Sequence, residues 1–189
     1  MAKINVLDSS IYNKISAGEV VERPASVIKE LTENCIDAGA KNIVIDIKEG
    51  GIENMTVMDD GSGIEYDSVK NAFLPHATSK ITSADDLNSI LTLGFRGEAL
   101  ASIASVSEVE MLTKTNDDEL ATRIVLNAGN VLSCERCSAP TGTKISVNNL
   151  FFNVPARKKF LKKPKQEEHE ITTVVQRLIL ANPSVSIRY

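Results

Sequence analysis

Three polar side chains in the segment K-E-L-T-E-N-C-I-D-A-G, residues 29–39, are spaced so that they can act together. Glu30, Asn34 and Asp37 are separated by four and then three residues, so on a helix they share one face. Burying such groups unpaired costs roughly several kcal/mol each, so this face suits a water and a metal-bound phosphate better than a core. A solvated polar face is the alternative, and Glu30 alone does not exclude it.

A glycine-rich turn, D-D-G-S-G-I, follows further along the chain and begins at Asp59. Gly61 and Gly63 allow the backbone to turn tightly and to approach a flat ligand without an intervening Cβ. The carboxylate of Asp59 can accept a hydrogen bond from an exocyclic amine such as that of adenine. An ordinary turn and a calcium loop are the alternatives. A calcium loop needs further regularly spaced oxygen ligands and a closing Glu, and Glu65 is too near to be that residue.

Two further motifs, H-A-T-S-K at 76–80 and G-F-R-G-E-A-L at 94–100, lie near the two ends of a segment, 74–95, that has no regular pattern. Gly94 and Gly97 come just before an expected helix, and backbone N–H groups at a helix N-terminus bind phosphate. The phosphate loop G-x-x-x-x-G-K-[ST] does not occur, which excludes a Walker-type ATPase; T-G-T-K at 141–144 is too short.

Several helices and strands must position these motifs. Pro24 and Gly39 are suited to begin and end a helix over 24–38. Alternating apolar residues predict strands over 42–48 and 54–59, joined by an E-G-G turn. Further helices are expected over 11–17, 66–73, 98–105 and 166–180, and further strands over 109–115, 121–127, 143–150 and 184–189.

This order of elements predicts an α+β fold, a two-layer sandwich in which helices cover one face of a mixed, mostly antiparallel sheet. It lacks the strict strand–helix alternation of a doubly wound nucleotide-binding fold. With 189 residues, of which 42% are hydrophobic, residues 1–189 are expected to form one domain. The last strand ends without a stop signal, so we expect the chain to be part of something longer.

Composition also limits the cellular setting. No apolar run approaches the roughly 20 residues that cross a bilayer, and the first residues lack the apolar stretch of a signal peptide. A cytoplasmic protein without a membrane partner is expected. The formal net charge of −4 argues against a protein that coats nucleic acid uniformly, although local basic patches remain compatible with it.

The three cysteines, Cys35, Cys134 and Cys137, predict reduced thiols, because their number is odd and no signal peptide is present. C-E-R-C has half the ligand spacing of a zinc site, but no second C-x-x-C exists. Cysteines in a strand or turn are the favoured interpretation.

The run R-K-K-F-L-K-K-P-K, residues 157–165, carries six basic residues in an otherwise acidic chain. A solvated charged face is one interpretation, and contact with DNA phosphates is the other. The candidate DNA contacts are Arg157, Lys158, Lys159, Lys162 and Lys163.

Taken together, the motifs resemble the ATPase domain of the MutL mismatch-repair family, within the superfamily of gyrase, heat-shock-chaperone, histidine-kinase and MutL (GHKL) ATPases. The matching segments occur in the family's order and span nearly the whole chain: I-S-A-G-E-V-V-E-R-P-A-S-V-I-K-E-L-T-E-N-C-I-D-A-G, D-D-G-S-G-I, H-A-T-S-K-I, L-G-F-R-G-E-A-L-A-S-I, P-T-G-T-K-I and F-F-N-V-P-A-R-K-K-F-L. The resemblance implies the Bergerat-type GHKL fold, with an ATP site between the helices and one sheet face.

The resemblance also implies roles for individual residues. Glu30 would be the general base that orients the attacking water, and Asn34 would hold the Mg²⁺ that bridges the phosphates. Asp59 would bind the adenine amine, helped by Thr143 through water. Asp60 stands where the family often has Asn and would face away from the base. The other implied ATP-binding residues are Asp37, Ala38, Gly61, Gly63, Thr78, Ser79, Lys80, Gly94, Phe95, Arg96, Gly97, Glu98, Ala99 and Leu100.

For the whole protein, the resemblance implies a slow ATP-hydrolysing switch in DNA mismatch repair. ATP would drive a homodimer that works with the mismatch-recognition protein MutS and with DNA, near the nucleoid in a bacterium. The chain ends before the transducer domain, whose lysine contacts the terminal phosphate, so weak hydrolysis is expected from this part alone. A nucleotide-gated dimerisation module with negligible hydrolysis is the alternative. A sensor kinase is disfavoured because too few residues precede Glu30 to hold a phosphoacceptor helix.

Overall fold

A computed structural model of the chain describes residues 20–75, 77 and 97–189. The expected helix over 11–17 and most of the segment 74–95 lie outside these residues. The described helices are α1 (Pro24–Asp37), α2 (Tyr66–Val69), α3 (Ala99–Ser105), α4 (Pro155–Phe160) and α5 (Pro164–Ala181), with 3-10 turns at Glu49–Gly51 and Asn71–Phe73. The strands are β1 (Asn42–Lys48), β2 (Asn54–Asp59), β3 (Glu108–Lys114), β4 (Ala121–Asn127), β5 (Asn130–Cys137), β6 (Gly142–Asn148) and β7 (Ser186–Arg188).

The seven strands form one sheet in the order β5-β4-β3-β6-β2-β1-β7. Every neighbouring pair is antiparallel except β1 and β7, which are parallel. The sheet is therefore mixed and mostly antiparallel, as the order of the elements predicted.

One face of this sheet carries the core. Alternate residues of each inner strand point to it and align across the sheet in rows, such as Met55, Val147, Val109 and Leu126, each paired with the next. Helix α1 contacts β2, while α2 and α3 contact β4. This arrangement confirms the α+β sandwich in which helices cover one sheet face.

Helix α1 begins and ends as its sequence predicts. Pro24 occupies the first turn, and Ala38 is the C-cap, followed by Gly39 with a φ of +75°. The buried residues of α1 are mostly apolar, and the helix also contacts α5. The polar stripe that includes Glu30 and Asn34 is left half-buried beside this apolar face.

Two described elements were not predicted, β5 and α4. Strand β5, N-V-L-S-C-E-R-C, does not alternate apolar and polar residues, and it lies at the sheet edge, largely exposed. It is extended because it pairs with β4, and the register of that pairing shifts between Val125 and Leu126. Helix α4 has six residues and buries none of them, so it has no apolar stripe to detect.

Helix α5 packs on α1 and on the 3-10 turn Glu49–Gly51. It begins at Pro164, two residues before the predicted start. Glu167, in its first turn, is fully buried and accepts a hydrogen bond from the Lys162 amide at 2.8 Å. Within the described part of the chain, no helix is both long and apolar enough to cross a membrane.

Candidate functional site

A polar row crosses one end of the otherwise aliphatic inner sheet face. Asp59 on β2 pairs with Thr143 on β6, which pairs with Thr113 on β3, which in turn pairs with Thr122 on β4. Asp59, Thr113 and Thr122 are buried, while Thr143 is half-buried. The hydroxyls of Thr113 and Thr143 lie 3.0 Å apart. A buried carboxylate beside hydroxyls gives this end of the sheet the capacity to bind a polar ligand.

Asp59 is the charged member of this row. Its Oδ1 accepts a hydrogen bond from the Gly61 amide at 2.8 Å, and the Cys35 thiol and the Thr143 amide also bond to the carboxylate. Burial raises the pKa of Asp59, against the lowering effect of these three donors, and the nearby charge of Asp60 raises it further. Burial and the adjacent Asp59 carboxylate raise the pKa of the Cys35 thiol, so the thiol stays protonated and donates.

The turn after β2 packs tightly between α1 and β3. A Cβ on Gly61 would lie 2.9 Å from Asp59 Oδ1 and 3.0 Å from the Ala38 carbonyl oxygen. Gly63, with a φ of +71°, passes so close to the Lys114 carbonyl that a Cβ there would overlap it. The Ile64 amide then donates to Thr113 Oγ1 at 2.9 Å. Both glycines are therefore required by close approach.

Helix α1 presents the second motif to the same region. Glu30, Asn34 and Asp37 form one half-buried stripe, which confirms that the three residues share a helix face. Lys29 Nζ lies 3.3 Å from Glu30 Oε1 and 2.8 Å from Glu33 Oε2, so the lysine is shared between two carboxylates.

The end of α1 meets the turn after β2 directly. The Ser62 amide donates to the Ala38 carbonyl at 3.0 Å, and Cys35, on the inner side of α1, bonds to Asp59. Glu30 precedes Cys35 by five residues, about 7.5 Å along the helix axis. The structure thus brings the two motifs together, with Asp59 at one end of the region and Glu30 further along α1.

The remaining candidate ligand-binding residues divide into two groups. Gly97, with a φ of +62°, and Glu98 lead into α3, whose first two residues are Ala99 and Leu100. Leu100 packs against the core, so its side chain is structural. The others lie outside the described residues: Thr78, Ser79, Lys80, Gly94, Phe95 and Arg96.

The basic run spans α4 and the start of α5. Lys158, Lys159 and Lys163 are exposed, whereas Lys162 forms an ion pair of 2.7 Å with Glu170. Arg157 is half-buried, and its guanidinium lies 6.0 Å from the centre of the Phe151 ring. The run therefore contains exposed cations together with two that have structural partners.

Sequence reasoning missed the two residues that support Asp59 and the adjacent turn, Cys35 and Thr113. Cys35 is 7% exposed and lies on the inner side of α1, next to the recognised Asn34. Thr113 is 1% exposed and accepts from the Ile64 amide. A usable signal for Thr113 is a hydroxyl at an inward position of an otherwise apolar strand, since such a group needs a buried partner.

Comparison with known proteins finds relatives along the whole chain. Residues 22–150 match the model of the family described as histidine kinase-, DNA gyrase B- and HSP90-like ATPase. The DNA mismatch repair protein MutL of Caldanaerobacter subterraneus subsp. tengcongensis is 54% identical over 189 residues, all of this chain and 32% of that protein. MutL of Clostridium beijerinckii is 53% identical over 188 residues, 28% of its length. The chain therefore spans about a third of these relatives.

Solved structures show the same similarity. The Aquifex aeolicus MutL ATPase domain complexed with ADP superposes with a TM-score of 0.69 at 32% identity, covering 89% of this chain and 59% of that one. The N-terminal domain of a DNA repair protein superposes with a TM-score of 0.77 at 30% identity, covering 93% and 50%. The chain therefore belongs to the family of histidine kinase-, DNA gyrase B- and HSP90-like ATPases and, within it, resembles the MutL mismatch-repair proteins over its whole length.

Proposed function

We propose that this chain is the ATP-binding and slowly ATP-hydrolysing switch domain of a MutL-type DNA mismatch-repair protein. One observation carries the proposal: the buried Asp59 carboxylate lies at the junction of the sheet, the glycine turn and the end of α1. The polar stripe of α1, Glu30 and Asn34, continues away from that junction. This arrangement suits one elongated ligand, with an amine-bearing heterocycle at the Asp59 end and an anionic group at the Glu30 and Asn34 end.

Asp59 recognises the base. An ionised carboxylate has about four acceptor positions, and the donors around Asp59 leave capacity for the exocyclic amine of adenine. Thr143 lies opposite Asp59 on β6 and assists through a bridging water. Gly61 and Gly63 let the turn approach α1 and β3 closely beside the base, and Asp37 and Ala38 border the base at the end of α1.

The polar stripe on α1 acts at the phosphate end of the nucleotide. Glu30 acts as the general base that orients a water for attack on the terminal phosphate, because a carboxylate accepts its proton. Lys29 is the ion-pair partner of Glu30 in this structure, at 3.3 Å, and also pairs with Glu33.

Asn34 would hold Mg²⁺ through its side-chain oxygen. The described residues include no group of three His, Cys, Asp or Glu side chains placed to bind a metal ion together. Asn34, half-buried on α1, offers a hard oxygen ligand of the kind that suits Mg²⁺, an ion that binds through few protein oxygens together with substrate phosphates. When bound, the ion neutralises phosphate charge. Gly97 and Glu98, before α3, would also bind the phosphates; the resemblance implies the same role for Thr78, Ser79, Lys80, Gly94, Phe95 and Arg96.

Residues 1–189 would form the ATPase domain that precedes a transducer domain. In the family that this chain resembles, a lysine of a transducer domain contacts the terminal phosphate, so residues 1–189 tested alone should hydrolyse ATP weakly. The full protein forms a homodimer with ATP and links mismatch recognition by MutS to later repair on DNA. The exposed Lys158, Lys159 and Lys163 suit contact with DNA phosphates, with Arg157 and Lys162 beside them.

The test separates binding from hydrolysis in a protein that includes the transducer domain. Glu30→Gln should retain ATP and ADP affinity within about threefold, because a general base acts in the transition state, and should lose hydrolysis about a hundredfold or more. Glu22→Gln, an exposed acid just before α1, is the matched control. Calorimetry gives affinity, and phosphate release gives turnover.

Two results would decide against parts of the proposal. Turnover of Glu30→Gln at the parent rate would remove Glu30 from catalysis. Tight ATP binding with no measurable hydrolysis by the parent protein would favour the alternative function, a nucleotide-gated dimerisation module.

A further inference from the structure

The carboxylate of Asp60 makes the densest set of side-chain hydrogen bonds near the proposed site. Its Oδ1 accepts from the backbone amides of Lys41 at 2.7 Å and Asn42 at 2.9 Å, and its Oδ2 accepts from Asn42 Nδ2 at 2.7 Å. The Asn42 side chain and then the two amides lower the pKa of Asp60 to about 2, so the group stays charged at any pH near neutrality.

These three bonds join two segments that are distant in sequence. Residues 38–42 leave α1 and enter β1, whereas residues 59–63 leave β2. The segments also meet through the hydrogen bond from the Ser62 amide to the Ala38 carbonyl. Gly61 lies between these two attachments, in contact with Ala38 on one side and with Asp59 Oδ1 on the other.

We propose that Asp60 is a positioning residue for nucleotide binding. Its hydrogen bonds join the segment after α1 to the segment after β2 and so fix the position of Asp59 relative to Glu30 and Asn34. This link is called the tie below. The proposal rests on the function proposed above. Asp60 itself touches no ligand, because its carboxylate points to Lys41 and Asn42. It acts on Asp59 through Gly61, whose amide donates to Asp59 Oδ1 and whose position depends on the tie to residues 41–42.

Asp60 also acts on Asp59 by charge. Besides burial, the main influences on the pKa of Asp59 among the described residues are the Cys35 thiol on α1, the Gly61 amide in the turn, the Thr143 amide on β6 and the Asp60 carboxylate. Only Asp60 among them carries a negative charge, and this charge disfavours the ionised form of Asp59. The position thus has a geometric effect and an electrostatic effect, which different substitutions separate.

Three variants of the chain separate these effects. Asp60→Ala removes both the tie and the charge, and ADP affinity at pH 8 should fall about tenfold. Asp60→Asn removes the charge but keeps an oxygen for the two backbone amides, so affinity at pH 8 should stay within about threefold of the parent. Asn42→Ala keeps the charge and loses one of the three bonds, and its affinity should lie between the other two. Asp46→Asn, an exposed acid on β1, is the charge control.

The pH dependence distinguishes this role from simple stabilisation. Without the Asp60 charge, Asp59 stays ionised to lower pH, so the ratio of ADP affinities of Asp60→Asn to parent should rise about two- to threefold between pH 8 and pH 5. The ratio cancels the protonation of ADP itself, since both proteins bind the same ligand. Asn42→Ala and Asp46→Asn should show a constant ratio.

Calorimetry at each pH, with hydrogen exchange of the Lys41 and Asn42 amides, completes the experiment. Faster exchange at both amides in Asp60→Ala, with the affinity pattern above, supports the proposal. If Asp60→Ala does not fold, Asp60→Asn and Asn42→Ala still decide it. Wild-type affinity in Asp60→Ala would overturn the positioning role of Asp60, and a pH-independent ratio for Asp60→Asn would overturn its electrostatic effect on Asp59. Absence of ADP binding by the parent chain would instead overturn the proposed function.

Discussion

At the scale of single residues, Asp59 is the buried charged group of the candidate site. It is 9% exposed, and among the described residues three donors, the Cys35 thiol and the Gly61 and Thr143 amides, bond to its carboxylate. Hydrogen bonds to a carboxylate stabilise its charged form, while burial destabilises that form. The protonation of Asp59 therefore depends on the balance between its burial and these hydrogen bonds.

Replacing Asp59 tests its assignment as the adenine acceptor. Asp59→Asn should weaken binding of both ADP and ATP about tenfold or more, because a buried partner for the exocyclic amine is replaced by an amide that also donates. Calorimetry with each nucleotide measures the change, and Asp46→Asn on the open sheet face is the control. Equal ADP affinity in Asp59→Asn and the parent would contradict the assignment.

The thiol beside Asp59 supports a second prediction. Since Cys35 lowers the pKa of Asp59, Cys35→Ala should raise that pKa further. The carboxylate would then be lost at a higher pH as the solution is acidified, and ADP affinity would decline earlier. Cys35→Ser keeps a donor and should restore the parent profile. Titration of the Asp59 side-chain carbon by NMR in the ligand-free chain provides the measurement, and coincident curves for all three proteins would show that the thiol has no influence.

The raised pKa of Asp59 also affects how folding stability depends on pH, and this effect has the opposite sign to that of Asp60. A raised pKa means that folded Asp59 binds a proton more readily than the unfolded chain, so its effect on folding becomes more favourable as pH falls through that raised value. Asp60, with a pKa of about 2, stabilises the fold above pH 3.8, its ordinary value, and that contribution is lost as pH falls towards 2.

At the scale of elements, the glycine turn after β2 joins the base-recognition end to α1. Gly63→Ala should destabilise the chain by about 2–4 kcal/mol, because both the positive φ and the Lys114 carbonyl oppose a Cβ. Gly39→Ala is the matched control: its φ of +75° is similar, but nothing lies within 4 Å of the added atom. It should cost only about 1–2 kcal/mol, the strain of the left-handed conformation.

Urea denaturation of the two alanine variants measures this difference. A Gly63→Ala variant as stable as Gly39→Ala would mean that β3 yields to the added carbon. In that case the turn is not held against the sheet by close packing, and its register would depend on the hydrogen bond of Ile64 to Thr113 alone.

At the scale of the whole molecule, the expected switch is ATP-driven association. A protein that includes the transducer domain should sediment as a monomer with ADP and as a dimer with a non-hydrolysable ATP analogue at tens of micromolar, where an association of about −6 to −7 kcal/mol is detectable. An Asp59→Asn variant should remain monomeric with both nucleotides, because it binds neither well. A monomer under all conditions would exclude the switch.

The sequence by itself predicted most of the helices and strands and named the candidate site residues. Periodicity and the Pro24 and Gly39 signals placed α1, β1 and β2 within a residue, because their patterns record which face is buried. Strand β5 and helix α4 were missed because neither buries an apolar face, so pairing with a neighbour or a short local turn decides their conformation. The spacing of Glu30, Asn34 and Asp37 predicted a common face, which depends on helix geometry alone.

Only the tertiary structure decided which groups surround these side chains. Cys35 and Thr113 come from α1 and β3, and only the packing of that helix on that sheet brings them to Asp59 and the turn beside it. Thr143, which the resemblance already implied beside Asp59, lies opposite it on β6. The tie from Asp60 to Lys41 and Asn42 likewise depends on where β1 and β2 end relative to each other. The physical reason is that periodicity reports whether a side chain is buried, whereas its partners and its pKa depend on contacts between segments that are distant in the chain.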